Sequence, residues 1–362
     1  MIEDFSDISR FRYFFISIMT LFLTGCAPRV VTSFWAIGSP ADSTVKGYTV
    51  IHAEGKTRHC YPIEAWFDGP EADTYHQLHH HGVAVESELM AYRIYFDKKQ
   101  TIDVYCKRKP QLELAQSYWY PNDSLLAEGY GDDIIRVSGT VGVGTVKYWH
   151  NKLYHIEDVG ERQQWIVKKG RNKATIAVCD VDWTIPDGKE DDPETRTIVN
   201  LNAEYTMRAG HRDMRCNVIV SEAIEGLCTG VQTIPAKGGK DTITMVLENG
   251  ILLASWGTDW PVNDSIKYAK ETVGLGVFIP KEYAGEAVHD KQNNLCLLKV
   301  ESRKTLLDSD GHRQSSVLKV ERNAYTAHFY LTVCGATKEN HPVATNATEW
   351  YAYLRRWAKN LK

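Results

Sequence analysis

Alternation of apolar and polar residues with a period of two recurs along this chain and restricts it to a β architecture. Residues 199–207 carry apolar side chains at every odd position, and residues 135–143 and 325–333 show the same alternation. This pattern is typical of antiparallel strands that bury one face. Turn signals such as Pro186-Asp187-Gly188 and Glu248-Asn249-Gly250 separate the runs. The sequence therefore predicts an all-β protein, a large antiparallel β-sandwich.

One helix is predicted, at the C-terminus. Trp350, Leu354, Trp357 and Leu361 recur at helical spacing, and Asn346 is positioned to cap the helix start. We find no internal repeat and no linker-like composition after residue 47. Residues 48–362 are therefore predicted to form a single sandwich domain with a short C-terminal helix.

Charge and composition exclude several classes of protein. The 362 residues contain 42 Lys+Arg and 46 Asp+Glu, a net charge of −4, with no basic run. Because a phosphate backbone demands a basic surface, a nucleic-acid partner is not predicted. The 43% hydrophobic and 24% charged residues are typical of a globular chain, and ten Trp with nineteen Tyr outnumber ten Phe. Aromatic rings with a polar group are thus favoured.

The N-terminus has the features of an exported lipoprotein. Arg10 and Arg12 precede a short apolar stretch over residues 13–23, which ends in Leu23-Thr24-Gly25-Cys26. That tetrapeptide resembles a bacterial lipobox, in which the cysteine is acylated. We predict a signal peptide over 1–25, an anchor and linker over 26–47, and lipidation of Cys26. The expected location is the periplasm or cell surface, with membrane contact through the lipid anchor alone.

The other seven cysteines show no metal-binding or redox spacing. No C-x-x-C pair occurs, so neither a zinc ribbon nor a redox motif is supported. Export permits disulfides, but several of these residues lie within strand-like apolar runs. Buried structural thiols are the favoured interpretation.

The densest chemistry is predicted on a hairpin formed by Glu88–Asp97 and Thr101–Lys107. With residues 98–100 at the turn, position 95 would face 103, 93 would face 105 and 91 would face 107. One face is then apolar, and the other carries Arg93, Tyr95, Asp103, Tyr105 and Lys107. A cross-strand Arg93–Asp103 ion pair accounts for part of this patch. The functional alternative is recognition of an anionic sugar, with a phenol relaying a proton if a nearby cation lowers its pKa.

Histidines supply candidate acids and bases. His79, His80 and His81 precede Gly82, and in an extended segment His79 and His81 would share a face. Three interpretations stay open: hydrogen-bonded imidazoles, general acid–base groups, or part of a metal site. A third metal ligand cannot be assigned, so no metal and no cofactor are predicted. His211, before Arg212 and Asp213, is a further candidate.

Several enzyme motifs are absent. The glycines at 139, 142 and 144 lack the lysine and helix of a phosphate loop, and no Gly-x-Ser-x-Gly or His-Glu-x-x-His occurs. A glycosidase is not favoured because Glu86 and Glu88 cannot be paired across a cleft from sequence.

The hairpin and several later motifs resemble the family of domains of unknown function numbered 4861. The matching segments are His80-His81-Gly82-Val83, Glu88-Leu89-x-Ala91-Tyr92-Arg93-Ile94-Tyr95-Phe96-Asp97, Thr101-Ile102-Asp103-Val104-Tyr105, Gly129-Tyr130-Gly131-Asp132-Asp133, Ala209-Gly210-His211-Arg212-Asp213 and Thr272-Val273-Gly274-Leu275-Gly276. The resemblance implies a sandwich of the mutarotase and polysaccharide-lyase type, found in polysaccharide-utilisation loci of Bacteroidetes. It also implies a lyase-like activity that removes water from a terminal uronate of an oligosaccharide.

These lines lead to one functional hypothesis, a carbon–oxygen lyase that performs β-elimination on a uronate-containing oligosaccharide. Arg93, helped by Lys107, would neutralise the carboxylate, while His81 or Tyr105 would be the base and His80, Tyr95 or His211 the acid. Binding residues are predicted to be Asp103, Arg136, Trp149 and Arg212. The alternative is a lipid-anchored glycan-binding protein without catalytic activity.

Overall fold

A computed structural model describes residues 29–33, 50–51, 57–58, 64–68, 78–117, 120–236, 242–266, 268–307 and 320–361. The predicted signal peptide and Cys26 lie outside the described residues, as does Cys60. Within the described residues the chain is all-β and antiparallel, as predicted.

In the part of the chain that the structure describes, the strands are accompanied by a single 3₁₀ turn, His79–His81, and by two helices, α1 (Asp123–Ala127) and α2 (Ala347–Lys359). In chain order the strands are β1 (Val30–Ser33), β2 (Val50–Ile51), β3 (Thr57–Arg58), β4 (Glu64–Asp68), β5 (Ala84–Ser87), β6 (Met90–Ile94), β7 (Ile102–Cys106), β8 (Asp132–Asp133), β9 (Lys147–Trp149), β10 (Leu153–Tyr154), β11 (Glu161–Lys168), β12 (Lys173–Thr184), β13 (Ile198–Arg208), β14 (Met214–Val220), β15 (Leu227–Gln232), β16 (Thr242–Leu247), β17 (Gly250–Asp259), β18 (Glu271–Pro280), β19 (Ala284–His289), β20 (Asn293–Leu298), β21 (Glu301–Leu307) and β22 (Val320–Gly335).

Three sheets build the sandwich within the described ranges. The largest has ten strands in the order β16-β17-β18-β22-β14-β13-β12-β11-β4, with β21 also paired to β22. Two five-stranded sheets, β1-β5-β6-β7-β8 and β10-β9-β15-β20-β19, share its hydrophobic core, and β2 pairs separately with β3. Val85 and Val231 from the smaller sheets and Tyr205 from the large one belong to the same buried cluster. The site described below lies on the β5-β6-β7-β8 sheet.

Two of the three alternating runs are strands, and one is not. Residues 199–207 lie in β13 and 325–333 in β22, each with its predicted apolar residues facing the core. The strand predicted over 135–143 is wrong: this segment is a loop with turns at Ser138 and Gly142, both at positive φ. Its apolar residues are nevertheless buried. The alternation here correctly indicated which side chains are buried. Backbone at positive φ, however, cannot continue the hydrogen-bonded ladder of a strand.

The predicted C-terminal helix is present as α2 and packs on the outer face of β18. Asn346 caps it by accepting a hydrogen bond from the Glu349 amide (3.0 Å). Trp350 and Leu354 lie directly over Gly274 and Gly276, where a Cβ atom would approach the two side chains to 2.6 and 2.5 Å. Glycine at these two positions therefore lets the helix approach the sheet closely.

The hairpin forms with the predicted faces but a different register. The pairs are Arg93↔Asp103, Ala91↔Tyr105 and Ile94↔Ile102, two residues away from the predicted pairing. The Asp97 carboxylate accepts hydrogen bonds from the amides of Lys99 and Gln100 (2.9 Å each), which starts the turn earlier than predicted. Because strand side chains alternate with a period of two, a shift of two leaves every residue on its predicted face.

The tip of this hairpin is held by buried polar groups. Lys147 is fully buried and donates to the Lys99 carbonyl, and its Nζ lies 2.8 Å from Nδ1 of His155. Gln100 donates to Asp180 (2.7 Å), which also accepts from Arg162 (2.7 Å). These bonds fix the turn that joins the two site-bearing strands.

We expect the buried Lys147 to make stability depend on pH. Burial lowers the pKa of Lys147 to about 7, whereas a lysine in an unfolded chain titrates near 10.4. Between these values the unfolded chain binds the extra proton. The free energy of unfolding should therefore rise with pH across this window, by up to about 1.4 kcal/mol per pH unit.

Urea unfolding at pH 7, 8, 9 and 10 measures this effect. Lys147→Met should remove this slope, so that the free energy of unfolding of the wild type rises with pH relative to that of the variant. Parallel curves for the two proteins would contradict the assignment.

The six cysteines within the described residues are all buried, in agreement with structural thiols: Cys106, Cys179, Cys216, Cys228, Cys296 and Cys334. No helix in the described part of the chain has the length and apolar character needed to cross a bilayer.

Candidate functional site

A buried guanidinium lies at the centre of the candidate site. Arg93 of β6 and Asp103 of β7 are direct cross-strand partners, and Nε and Nη2 of Arg93 donate to Oδ2 of Asp103 at 2.8 and 2.5 Å. The Arg93 side chain has no solvent exposure. The ion pair considered from the sequence is therefore present. A guanidinium in this position cannot bind a substrate carboxylate directly.

Three tyrosine rings enclose this guanidinium. Its central carbon lies 5.0 Å from the ring centroid of Tyr95, 4.9 Å from that of Tyr105 and 4.6 Å from that of Tyr120. Each distance is within the range of a cation–π interaction. Tyr120 was not identified from the sequence, because it reaches the cluster from a loop with no periodic pattern.

The phenol hydroxyls form a hydrogen-bonded chain that leads from Arg93 toward solvent. Nη2 of Arg93 donates to the Tyr95 hydroxyl (3.0 Å), which lies 3.3 Å from the hydroxyl of Tyr120, a residue that is 39% exposed. Since a guanidinium can only donate, the Tyr95 oxygen accepts, and its own proton is left for Tyr120 or a ligand. The buried Arg93 guanidinium thereby orients phenol hydroxyls that can donate hydrogen bonds toward solvent.

The surroundings of these phenols favour the neutral form, so the condition considered from the sequence, a phenol pKa lowered by a nearby cation, is not met. Burial raises the pKa of Tyr95, Tyr105 and Tyr120, and this effect exceeds the opposing influence of Arg93. Asp103 further opposes ionisation because its negative charge lies beside each ring. The assignment of Tyr105 as a base is therefore not supported, whereas neutral Tyr95 and Tyr120 are well suited to donate hydrogen bonds.

The histidine run forms a tight turn and not an extended segment, so the predicted shared face of His79 and His81 is wrong. The amides of His81 and Gly82 donate to the carbonyls of Leu78 (3.2 Å) and His79 (3.3 Å), and both His80 and His81 have positive φ. The turn directs the chain beside β6, where a Cβ on Gly82 would meet the Ile94 carbonyl at 2.0 Å. In the described residues no three potential metal ligands cluster.

His80 and His81 have different surroundings. His81 is 6% exposed, stacks on Tyr95 with centroids 5.2 Å apart, and lies edge-on to Tyr120 at 6.4 Å. His80 is buried with Nε2 3.0 Å from the Leu114 carbonyl, so Nε2 carries the proton and donates it. Burial lowers the pKa of His80 to about 3. His80 is therefore a neutral structural group, and the structure does not support its use as an acid.

Lys107 directs its charge away from Arg93. It forms a buried ion pair with Glu86 and donates to the Gln111 carbonyl (3.1 Å). The Glu86 carboxylate also accepts from the amides of Glu113 and Leu114 at 2.9 Å each. Lys107 and Glu86 thus anchor the segment after β7, and the predicted help to Arg93 is not supported.

His211 and Arg212 lie on the other side of the small sheet. The Arg212 carbonyl accepts from the hydroxyl of Tyr92 (2.5 Å), a residue on the core face of β6, opposite Arg93. The Arg212 guanidinium is occupied by Glu339, with two contacts of 3.1 Å. His211 is bonded to Asp213 (3.1 Å). The sequence motif therefore supports the fold here and does not join the Arg93 cluster.

A groove opens beside Tyr120 and contains a carboxyl group that the sequence analysis missed as a site residue. It has a volume of about 280 Å³, and Tyr120, Asp132, Asp133 and the segment 261–264 line it. Arg136 borders this region by donating to Asn263 (3.1 Å). Asp133 belongs to a motif quoted above, but a two-residue strand offers no periodicity that could place it.

Trp149 lines a different cavity of about 460 Å³ together with Tyr148, His150 and Asp187. This cavity shares no lining residue with the groove. The structure therefore does not bring the predicted binding residue Trp149 to the Arg93 cluster.

Comparison with known proteins gives one family match. Residues 63–362 match the model of a family described as "Domain of unknown function (DUF4861)". A galactose mutarotase related enzyme from Lactobacillus acidophilus matches over 68% of this chain and 95% of its own, at 12% identity and a TM-score of 0.21. No curated protein matches the chain in sequence.

Proposed function

Because the chain belongs to the DUF4861 family, whose description names no function, we propose that it is a carbon–oxygen lyase that removes water by β-elimination from a uronate-ended oligosaccharide, as the family resemblance and the site suggest. The observation that carries this proposal is the Tyr95–Tyr120 phenol pair, polarised by a guanidinium that is itself sealed from solvent.

The phenol pair fits the charge that the reaction develops. Removing the proton α to a carboxylate moves negative charge onto the carboxylate oxygens in an enolate-like intermediate. Neutral hydroxyls fixed in place bind such oxygens more strongly in the transition state than in the ground state. Arg93 acts through Tyr95, because it orients that hydroxyl and supplies positive charge beneath it. Arg93 is thus a positioning residue.

His81 is the base in this mechanism. Its ring contacts both Tyr95 and Tyr120, and imidazole is suited to proton transfer near neutral pH. His81 takes the α proton, the carbon–oxygen bond at the neighbouring carbon breaks, and the leaving oxygen takes the bonding pair and a proton. The products are a conjugated unsaturated sugar acid and one water.

Incubation of the full chain with uronate-ended oligosaccharides tests the proposal. We expect new ultraviolet absorbance from the conjugated acid and a product lighter by one water in mass spectrometry. The matched control is the same oligosaccharide with its carboxylate reduced to an alcohol, which should not react. If uronate ligands bind but are recovered unaltered across the panel, the protein is a glycan-binding protein and the lyase proposal fails.

We further propose that the protein acts outside the cytoplasm on a lipid anchor at Cys26. The support is the short apolar segment and the lipobox-like Leu23-Thr24-Gly25-Cys26. Labelling with a fatty-acid analogue should mark the wild-type protein, and Cys26→Ser should abolish the label. A labelled Cys26→Ser protein would contradict this assignment.

A further inference from the structure

We propose that Asp133 is the residue that protonates the leaving hydroxyl, which is seated in the groove beside Tyr120. This inference rests on the proposed elimination and assigns the acid that the reaction requires.

The strand register brings Asp133 to the site. β8 pairs with β7 so that Asp133 is directly opposite Tyr105. Direct partners in an antiparallel pair share a face, so Asp133 lies on the face that carries Asp103 and Arg93. The Ile135 amide holds its Oδ1 at 3.0 Å. Asp133 is 5% exposed and lines the groove with Tyr120, so it is positioned between the buried cluster and the space open to a ligand.

A second carboxyl group, that of Asp103, lies near Asp133 and favours a proton on it. Asp103 accepts both hydrogen bonds from Arg93 and is its salt-bridge partner. Asp133 is a diagonal neighbour of Asp103 on this face, because its direct partner Tyr105 lies two residues after Asp103. A second carboxyl group nearby disfavours the ionised form of the first. Burial, followed by the charge of Asp103, raises the pKa of Asp133. These surroundings favour the protonated form of Asp133.

The other candidate acids are occupied or distant. His80 donates its Nε2 proton to the Leu114 carbonyl, and His211 lies beyond the core face of β6. Tyr95 is held as a hydrogen-bond donor with a raised pKa, which makes it a poor source of a proton. Asp133 thus combines a transferable proton with access to the groove.

Over one turnover, His81 and Asp133 both return to their starting protonation states. His81 gains the α proton, Asp133 gives its proton to the leaving oxygen, and the released molecule is water. Asp133 is left ionised beside the Ile135 amide. Solvent in the open groove then returns a proton from His81 to Asp133, which restores both groups.

The decisive comparison uses two substrates that differ only in their leaving group. The first carries the natural hydroxyl, and the second carries fluoride at the same carbon, which departs as an anion without protonation. Asp133→Asn should lose about 100-fold in kcat on the hydroxyl substrate and stay within a few-fold of wild type on the fluoride. Asp213→Asn is the matched control, because it changes an aspartate beside His211 and should leave both rates unchanged.

Two other outcomes would contradict the proposals. Equal losses on both substrates would overturn the role of Asp133, because a purely structural defect does not depend on the leaving group. A wild-type protein inactive on both would overturn the proposed elimination itself.

An infrared measurement provides a readout besides activity. Protein labelled with ¹³C-aspartate should show the carbonyl band of a protonated carboxylic acid near neutral pH, and Asp133→Asn should remove that band. A band that persists in this variant, or is absent from the wild type, would show that the stored proton is not on Asp133.

Discussion

Replacing Arg93 by methionine is expected to lower the free energy of unfolding by about 3–5 kcal/mol, because it leaves the carboxylate of Asp103 buried without a cation. Asp103 is 5% exposed and takes two hydrogen bonds from Arg93. The three tyrosine rings lose the cation that they enclose as well. Urea unfolding measures the loss as a lower midpoint at an unchanged m value.

A double variant separates the buried charge from the rest of the cluster. Arg93→Met combined with Asp103→Leu removes both charges, so it should recover a large part of the stability lost in Arg93→Met alone. It should not recover activity, since Tyr95 is no longer oriented. A single Arg93→Met variant within about 1 kcal/mol of wild type would show that the pair is not a buried structural unit.

Removing the two outward hydroxyls is expected to have the largest effect on turnover. The Tyr95→Phe, Tyr120→Phe double variant keeps both rings around Arg93 but loses both hydroxyls, including that of Tyr120, which lines the groove. Loss of a preorganised donor to a developing oxyanion costs about 10²–10³-fold in rate, so kcat should fall at least this far. The stability change should stay near 1 kcal/mol per hydrogen bond.

Tyr154→Phe is the control for this pair. Tyr154 belongs to β10, in the other five-stranded sheet, so removal of its hydroxyl should leave turnover unchanged. The rate is followed by the ultraviolet absorbance of the unsaturated product. If the double variant retains wild-type kcat, the phenols do not stabilise the reacting carboxylate and the mechanism is wrong.

The sequence identified the central pair of the site because strand periodicity is a local property. Arg93 and Asp103 each follow the alternation of their own strand, so even a pairing error of two residues left them on one face. The same local logic predicted the strands β13 and β22 and the helix α2 correctly. It failed at residues 135–143, where positive φ values break the ladder that the alternating pattern predicted.

Tertiary contacts decided the use of each candidate. Lys107 is on the predicted face, but it forms an ion pair with Glu86, a partner 21 positions earlier in the chain. Arg212 likewise forms an ion pair with Glu339. Conversely, Tyr120 comes from a loop and Asp133 from a two-residue strand. Neither setting leaves a periodic signal in the sequence.

The sequence by itself determined the all-β class, the C-terminal helix and the polar face of the β6–β7 hairpin, since each depends on residues close together in the chain. Only the tertiary structure decided that Arg93 is sealed from solvent, that His81 stacks on Tyr95, and that Tyr120 and Asp133 line the groove. Burial and charge pairing depend on side chains brought together from distant segments. The same desolvation that raises the pKa of the tyrosines and of Asp133 arises only when the sheets pack.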